Sequence, residues 1–127
     1  MPKTYENKAN HNQDFLDSIH NDYPDSYYDW KVTVQFYTAL HRCYCVILNS
    51  GVNITSSHQT NISNLGKINK ELGRKLFLVY KNSRQSRYEG FMNDDAMNRI
   101  NKINFDSGQV DLKKINTLVS SYYPVAI

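Results

Sequence analysis

The residue best suited to chemistry is His41, which lies in the middle of an apolar segment one helical turn after Tyr37. An imidazole among apolar side chains needs a hydrogen-bond partner, because burying it without one is costly. It can also act as a general base near neutral pH or contact a ligand. Two interpretations therefore stay open: a core histidine satisfied by the Tyr37 hydroxyl or another group, and a functional imidazole.

A second group of candidate residues follows in the segment Ser83-Arg84-Gln85-Ser86-Arg87-Tyr88. Arg84 and Arg87 are three residues apart and so share one side of a helix. Their forked donors suit the oxygens of a phosphate, and they suit a carboxylate of the same chain equally well. His41 and the two arginines would form one composite site if they faced each other across the bundle or across a dimer axis. Metal-free RNA cleavage needs such a base together with cationic stabilisation of the phosphorane.

Charge is distributed unevenly along the 127 residues, although the net charge is only +3. Residues 1–30 contain two basic and six acidic side chains, whereas residues 31–93 contain nine basic and two acidic ones. A basic segment of this kind attracts phosphates. It can equally dock against the acidic first segment of its own chain or of a second copy.

Apolar residues recur at three- and four-residue spacing, which predicts helices rather than strands. The second helix carries two apolar stripes and only two charged residues inside it, Lys31 and Arg42. The first stripe is Trp30, Val34, Tyr37, His41, Tyr44 and Leu48, and the second is Phe36, Leu40, Cys43 and Ile47. A helix that is apolar nearly all round is buried, so we expect this helix at the centre of the domain.

The predicted helices cover about residues 5–22, 26–49, 58–65, 68–90 and 110–122. Pro24 ends the first helix and Gly51 ends the second. Residues 92–109 stay unassigned, and Asp106-Ser107-Gly108 is typical of a loop. Long helices with short connections favour an all-α, up-and-down bundle of four to five helices in a single domain.

Several kinds of site and location are not expected. Cys43 and Cys45 point in different directions on a helix and cannot bridge. No second cysteine pair and no His-x3–5-His spacing exists, so we expect no metal and no other cofactor. The longest apolar run, residues 43–48, is too short for a membrane span, and the polar start lacks the apolar core of a signal peptide. We therefore expect a cytoplasmic protein with no membrane partner.

Residues 29–41 resemble the pattern D-W-x-V-x-x-x-F-Y-x-A-L-H on the second helix of small bacterial HEPN-like domains. The resemblance covers about residues 8–120, and its further matches are Asn12 and Phe15 on the first helix, His58 at the start of the third, and residues 83–88 at the end of the fourth. It implies an all-α bundle that pairs through its long helices into a homodimer. It also implies an association with nucleotides or RNA, often in toxin–antitoxin or phage-defence operons.

Many HEPN-like proteins are metal-independent endoribonucleases with an Arg-x4–6-His motif on one helix. The motif is absent here, because Ile, Leu and Asn occupy positions 47–49 after Arg42, and every other arginine lies beyond His58, the last histidine. The family's catalytic roles are therefore not carried over. A divergent site would use His41, Arg84 and Arg87 as catalytic residues and Tyr37, His58, Ser83 and Tyr88 as ligand-binding residues.

Three functions stay open on this evidence. The first is a HEPN-like homodimeric module that binds a nucleotide, RNA or a cognate partner protein without the standard ribonuclease activity. The second is a metal-independent endoribonuclease with a divergent histidine–arginine site. The third is a structural protein-interaction bundle whose arginines bind its own acidic first helix.

Overall fold

The computed structural model describes residues 2–86 and 95–122, and within these ranges it contains five helices and no strand. The helices are α1 (Pro2–Asp22), α2 (Tyr28–Asn49), α3 (His58–Ile68), α4 (Lys70–Gln85) and α5 (Asp95–Tyr122). The all-α bundle predicted from the sequence is confirmed. None of the helices in these ranges combines the length and the apolar character that crossing a membrane requires.

The central helix is α2, which packs against each of the other four. Its second stripe, Phe36, Leu40, Cys43 and Ile47, is at most 1% exposed and forms the middle of the apolar core. The first stripe lies at the margin of the core, where Trp30 is 53% exposed and Tyr37 and His41 are half-buried. The two candidate site residues of α2, Tyr37 and His41, therefore lie at the margin of the core.

Short polar side chains cap the N-termini of α3 and α4. The Ser57 hydroxyl accepts a hydrogen bond from the Thr60 amide at 3.2 Å, and the Asn69 side chain accepts one from the Leu72 amide at 3.0 Å. Such caps satisfy amides that have no partner within the helix. Because Asn69 separates the two helices, α3 extends to Ile68 instead of ending near residue 65, and α4 begins at Lys70. The predicted end of α4 near residue 90 lies outside the described residues.

The prediction for the last helix was wrong, because α5 begins at Asp95 and so contains residues 106–108, which resembled a loop. The inward positions of its first half include Asn101, Phe105 and Gly108, so the apolar pattern there is weak. Asn101 accepts a hydrogen bond from the Ser86 hydroxyl at 2.8 Å, and Gly108 leaves space for the buried amide of Gln35. An asparagine and a glycine thus occupy inward-facing positions of one continuous helix.

The first two helices also begin at slightly different residues from those predicted. Helix α1 starts at Pro2, a residue that suits the first turn because the amide it lacks has no helical partner there. Helix α2 starts at Tyr28, after Tyr27 adopts a left-handed backbone with φ of 59°.

Among the described residues, no ion pair joins the acidic α1 to the basic α4. In residues 2–86 and 95–122, α1 has its backbone contacts with α2 and none with α4. The ion pairs there join Lys3 to Glu6 at 3.2 Å and Lys75 to Asp111 at 3.3 Å. Within the chain, the described arginines of α4 therefore have no ion pair with α1.

Candidate functional site

His41 lies on the side of α2 that faces α1. Its Nδ1 atom is 3.2 Å from the amide nitrogen of Asn12, and its ring stacks on Tyr5 with 5.7 Å between the centroids. Because the Asn12 amide donates, Nδ1 is the accepting nitrogen, and the proton of the neutral ring resides on Nε2. Helix α1 thus fixes both the orientation and the tautomer of His41.

The protonation of His41 is unfavourable in this environment. Burial is the largest cause, and the positive charges of Lys8 and His58 add to it, so that the pKa of His41 falls from 6.5 to about 4. The imidazole is therefore neutral at pH 7. A general base works best when its pKa lies near the working pH, which is not the case here.

His58 is the first residue of α3 and lies against the same stripe of α2 as His41. Its ring centroid is 6.3 Å from that of Tyr37 and 5.5 Å from that of Phe36, and its Nδ1 atom is 3.4 Å from the Tyr44 hydroxyl. Tyr37 in turn contacts His41 at 6.3 Å between centroids. The structure therefore brings Tyr37, His41 and His58, three of the predicted site residues, into one group.

The loop before α3 holds His58 in this position through Asn61. The Asn61 side chain donates to the Tyr44 hydroxyl at 2.8 Å and to the Thr55 carbonyl at 3.0 Å, and it accepts from the Thr55 amide at 2.9 Å. Asn61 is completely buried. This fully bonded amide ties the loop, α2 and α3 together beside the imidazole of His58.

Arg84 reaches the site through Tyr80, one turn earlier on α4. Its guanidinium carbon lies 5.9 Å from the Tyr80 ring centroid, and Nη1 is 3.5 Å from the Tyr80 hydroxyl. The Tyr80 ring is 6.1 Å from that of His58. We call the connected rings the histidine–tyrosine cluster, and its members are Tyr5, Tyr37, His41, Tyr44, His58 and Tyr80. Arg84 is exposed at its edge.

The other predicted site residues have different positions. Ser83 is buried, and its hydroxyl has no hydrogen-bond partner in the described part of the chain. Arg87 and Tyr88 lie outside the described residues. In residues 2–86 and 95–122, no group of three histidine, cysteine or acidic side chains is placed to hold a metal ion, and Cys43 and Cys45 are free and buried.

The sequence analysis did not assign a site role to Tyr5, Tyr44, Asn61 or Tyr80. Tyr44 follows His41 by three residues and Tyr80 precedes Arg84 by four, and both spacings place the pairs on one helix side. These spacings could have indicated that Tyr44 and Tyr80 belong to the site. Comparisons of the chain with protein-family models, with curated proteins and with solved structures find no match.

Proposed function

We propose that the chain is a HEPN-like helical module that binds single-stranded RNA or a nucleotide at the histidine–tyrosine cluster, without the ribonuclease activity typical of that family. The observation that carries this proposal is the series of ring contacts that runs from Tyr5 through His41, Tyr37 and His58 to Tyr80. The series ends beside the exposed guanidinium of Arg84. The half-buried rings can stack on a base and the neighbouring cation can contact a phosphate, so both parts of a nucleotide would have a partner.

The chemistry of single-strand recognition supports this assignment. Bases stack on aromatic side chains with about 1–3 kcal/mol per base, largely irrespective of sequence, while basic residues contact the phosphates. Tyr37, His41 and His58 are partly accessible aromatic rings. Arg84 supplies a positive charge next to Tyr80, whose ring contacts that of His58.

The state of His41 favours binding over catalysis. Its pKa of about 4 leaves little tendency to take a proton from a ribose hydroxyl. The accepting nitrogen, Nδ1, already faces the Asn12 amide, and Nε2 carries the proton. In this arrangement His41 donates a hydrogen bond to a ligand and does not remove a proton from it.

A divergent metal-independent endoribonuclease is the second candidate, because two imidazoles occupy one cluster beside an arginine. An acid–base pair of histidines could share proton transfer in RNA cleavage. Such an enzyme would require Asn12 to release Nδ1 of His41 when the substrate binds. Cleavage of RNA in the presence of EDTA, lost in His41→Gln, would support this candidate against the binding proposal.

The binding proposal is tested with a fluorescein-labelled 12-nucleotide oligouridine and fluorescence anisotropy. We expect Arg84→Gln to weaken binding about tenfold, or about 1.4 kcal/mol, and to reduce the salt dependence of log K by about 0.7. Arg74→Gln is the matched control, because Arg74 is an exposed arginine ten residues earlier on the same helix. Equal losses in both variants would indicate general charge attraction and contradict the assignment of the cluster.

Stacking is tested separately with Tyr37→Leu. This change keeps an apolar side chain at the position but removes the ring, so we expect about 1–3 kcal/mol of lost affinity with the salt dependence unchanged. Absence of any RNA or nucleotide binding by the wild-type chain would instead favour the protein-interaction function.

Homodimerisation is part of the same proposal. Phe15 and Phe77 are 52% and 49% exposed, and aromatic residues of this kind are enriched at the centres of protein interfaces. Light scattering at tens of micromolar protein should give the mass of two chains. The mass of a single chain would remove the dimer from the proposal and leave the cluster to act within one copy.

A further inference from the structure

Helices α1 and α4 lie on opposite sides of α2. Cys45 of α2 contacts the Pro2 carbonyl at the start of α1, and Phe36 of α2 contacts the Tyr80 ring of α4. Because nine residues separate Phe36 from Cys45, their side chains point about 180° apart. Among the described residues, α1 and α4 have no backbone contact with each other.

One side of α2 between these two helices is open. Tyr37 points about 100° away from Phe36, and the exposed Trp30 shares its side seven residues earlier. Gln35 points the other way from Phe36 and donates to the Phe105 carbonyl of α5 at 3.0 Å. Helix α5 therefore covers the back of α2, and we call the side that carries Trp30 and Tyr37 the open face.

Each flanking helix carries an exposed phenylalanine at the edge of the open face. Phe15 of α1 follows Asn12, the partner of His41, by three residues. Phe77 of α4 precedes Tyr80, which contacts α2, by three residues. Residues three apart share a helix side. The two phenylalanines, each about half exposed, therefore border the open face from its two sides.

Helices α1 and α4 run in the same direction. Pro2 at the start of α1 contacts Cys45, near the end of α2. Asn49 at the end of α2 donates to the Tyr122 carbonyl, and Asn69, just before α4, donates to the Tyr122 hydroxyl. Both α1 and α4 thus start at the end of the bundle where α2 finishes.

Opposite charges follow the two phenylalanines toward the same end of the bundle. Asp22 lies seven residues after Phe15, and Lys81 lies four residues after Phe77, spacings that keep each pair on one helix side. The charges are about 10 Å and about 6 Å beyond their rings along the helix axes. Asp22 and Lys81 are exposed, and neither has an ion pair within residues 2–86 and 95–122.

The surroundings of these two charges have the same signs. Residues 9–30 contain five aspartates and no lysine or arginine, whereas α4 contains five basic residues and one acidic one. Lys8, which precedes the acidic stretch on α1, lies over the Tyr5 ring of its own chain. Within one chain the acidic and basic edges stay apart, so a second copy is the partner whose charges match both.

We infer that two copies pair through their open faces, with α1 of each copy packed against α4 of the other. A two-fold axis parallel to the helices exchanges the two edges of the open face and keeps the direction of α1 and α4 the same. Phe15 then meets Phe77 of the second copy, and Asp22 meets its Lys81, twice in each dimer. This inference rests on the homodimer of the proposed function and does not use Arg84.

The first test exchanges charges and measures the dimer dissociation constant by analytical ultracentrifugation at low ionic strength. Asp22→Lys and Lys81→Asp should each weaken the dimer about tenfold, because attraction becomes repulsion in both contacts. An equimolar mixture of the two variants should recover the wild-type value within about threefold, since both contacts of a mixed dimer join opposite charges. Asp14→Lys is the matched control, because Asp14 is an exposed acid that points about 100° away from Phe15, and it should leave the dimer unchanged.

The outcomes separate this inference from the proposed function. A dimeric wild type that neither charge change weakens, or a mixture that stays as weak as the single variants, would overturn the pairing of α1 with α4 and leave the dimer in place. A monomeric wild type would overturn both the dimer and the pairing, whereas RNA binding at the histidine–tyrosine cluster is measured independently.

A disulfide cross-link then tests which helices meet. Phe15→Cys and Phe77→Cys chains are oxidised with copper–phenanthroline, separately and as a mixture, and the linked dimers are counted on a non-reducing gel. We expect linked dimers mainly in the mixture, because equal positions of the two copies lie at opposite edges of the open face. Cys43 and Cys45 are buried. Equal yields in the mixture and in the separate Phe15→Cys chain would refute the proposed arrangement.

Discussion

The pKa of His41 makes the stability of the fold depend on pH in a defined window. The folded chain holds this pKa at about 4, whereas an unfolded histidine titrates near 6.5. Between these values the unfolded chain binds more protons, so the free energy of unfolding rises with pH. Stability is therefore greatest above pH 6.5 and declines as the pH falls toward 4.

The size of the effect follows from the width of that window. At about 1.36 kcal/mol for each pH unit, a fall of the pKa from 6.5 to about 4 corresponds to at most about 3 kcal/mol. The ring is half-buried, and contact with water screens the charge, so we expect about 1–2 kcal/mol. Other groups titrate in the same range, which makes a matched variant necessary.

His41→Gln is that variant, because it does not titrate and keeps a side-chain oxygen near the Asn12 amide. Urea unfolding at several pH values between 4.5 and 7.5 should give a smaller loss of stability in the variant than in the wild type, by about 1–2 kcal/mol. NMR titration of the His41 ring measures the pKa directly. A pKa near 6.5, or parallel stability curves for the two proteins, would refute the desolvation argument.

Three further predictions concern groups around His41 and in the core. Lys8→Gln should raise the pKa of His41 by a few tenths, measured by NMR titration, because the Lys8 charge lowers that pKa. Gly108→Ala should cost about 1–3 kcal/mol in urea unfolding, since the new methyl group would overlap the Gln35 amide, and a much smaller cost when Gln35 is also Ala would verify that cause. Asn61→Ala should cost about 1–3 kcal/mol and accelerate hydrogen exchange in residues 55–62, because several buried hydrogen bonds are lost; unchanged exchange would contradict its role in the loop.

Helix periodicity predicted the elements whose inward positions are apolar. The buried stripe of α2 is uninterrupted from Phe36 to Ile47, and its central position follows from that pattern. The first half of α5 was not predicted because its inward positions include Asn101 and Gly108, which are not apolar side chains. Asn101 accepts the hydrogen bond of Ser86, and Gly108 leaves space for the side chain of Gln35. Gln35 belongs to α2 and Ser86 to the end of α4, so the residue pattern of the α5 segment alone does not reveal why these two positions are an asparagine and a glycine.

The candidate site was predictable where it depends on one helix and not where it depends on a loop. Tyr37 and His41 share a helix side by spacing alone, and the structure keeps them in contact. The approach of His58 depends on the path of residues 50–57 and on Asn61, which the sequence does not specify. The sequence shows Arg42 as one of two charged residues inside an apolar helix, but it does not show the partners of its guanidinium. In the described part of the chain Asn10 accepts from Nη1, while Nε has no acceptor.

His41 and Arg42 bind different asparagines of α1. His41 and Arg42 are adjacent on α2 and therefore point about 100° apart, while their partners on α1, Asn12 and Asn10, point about 200° apart on that helix. Helix α1 thus presents a different asparagine to each of these two α2 side chains. A change in either asparagine alters the hydrogen bonding of a single α2 side chain, so an effect of Asn10→Ala on the pKa of His41 would show that α1 moves as a whole.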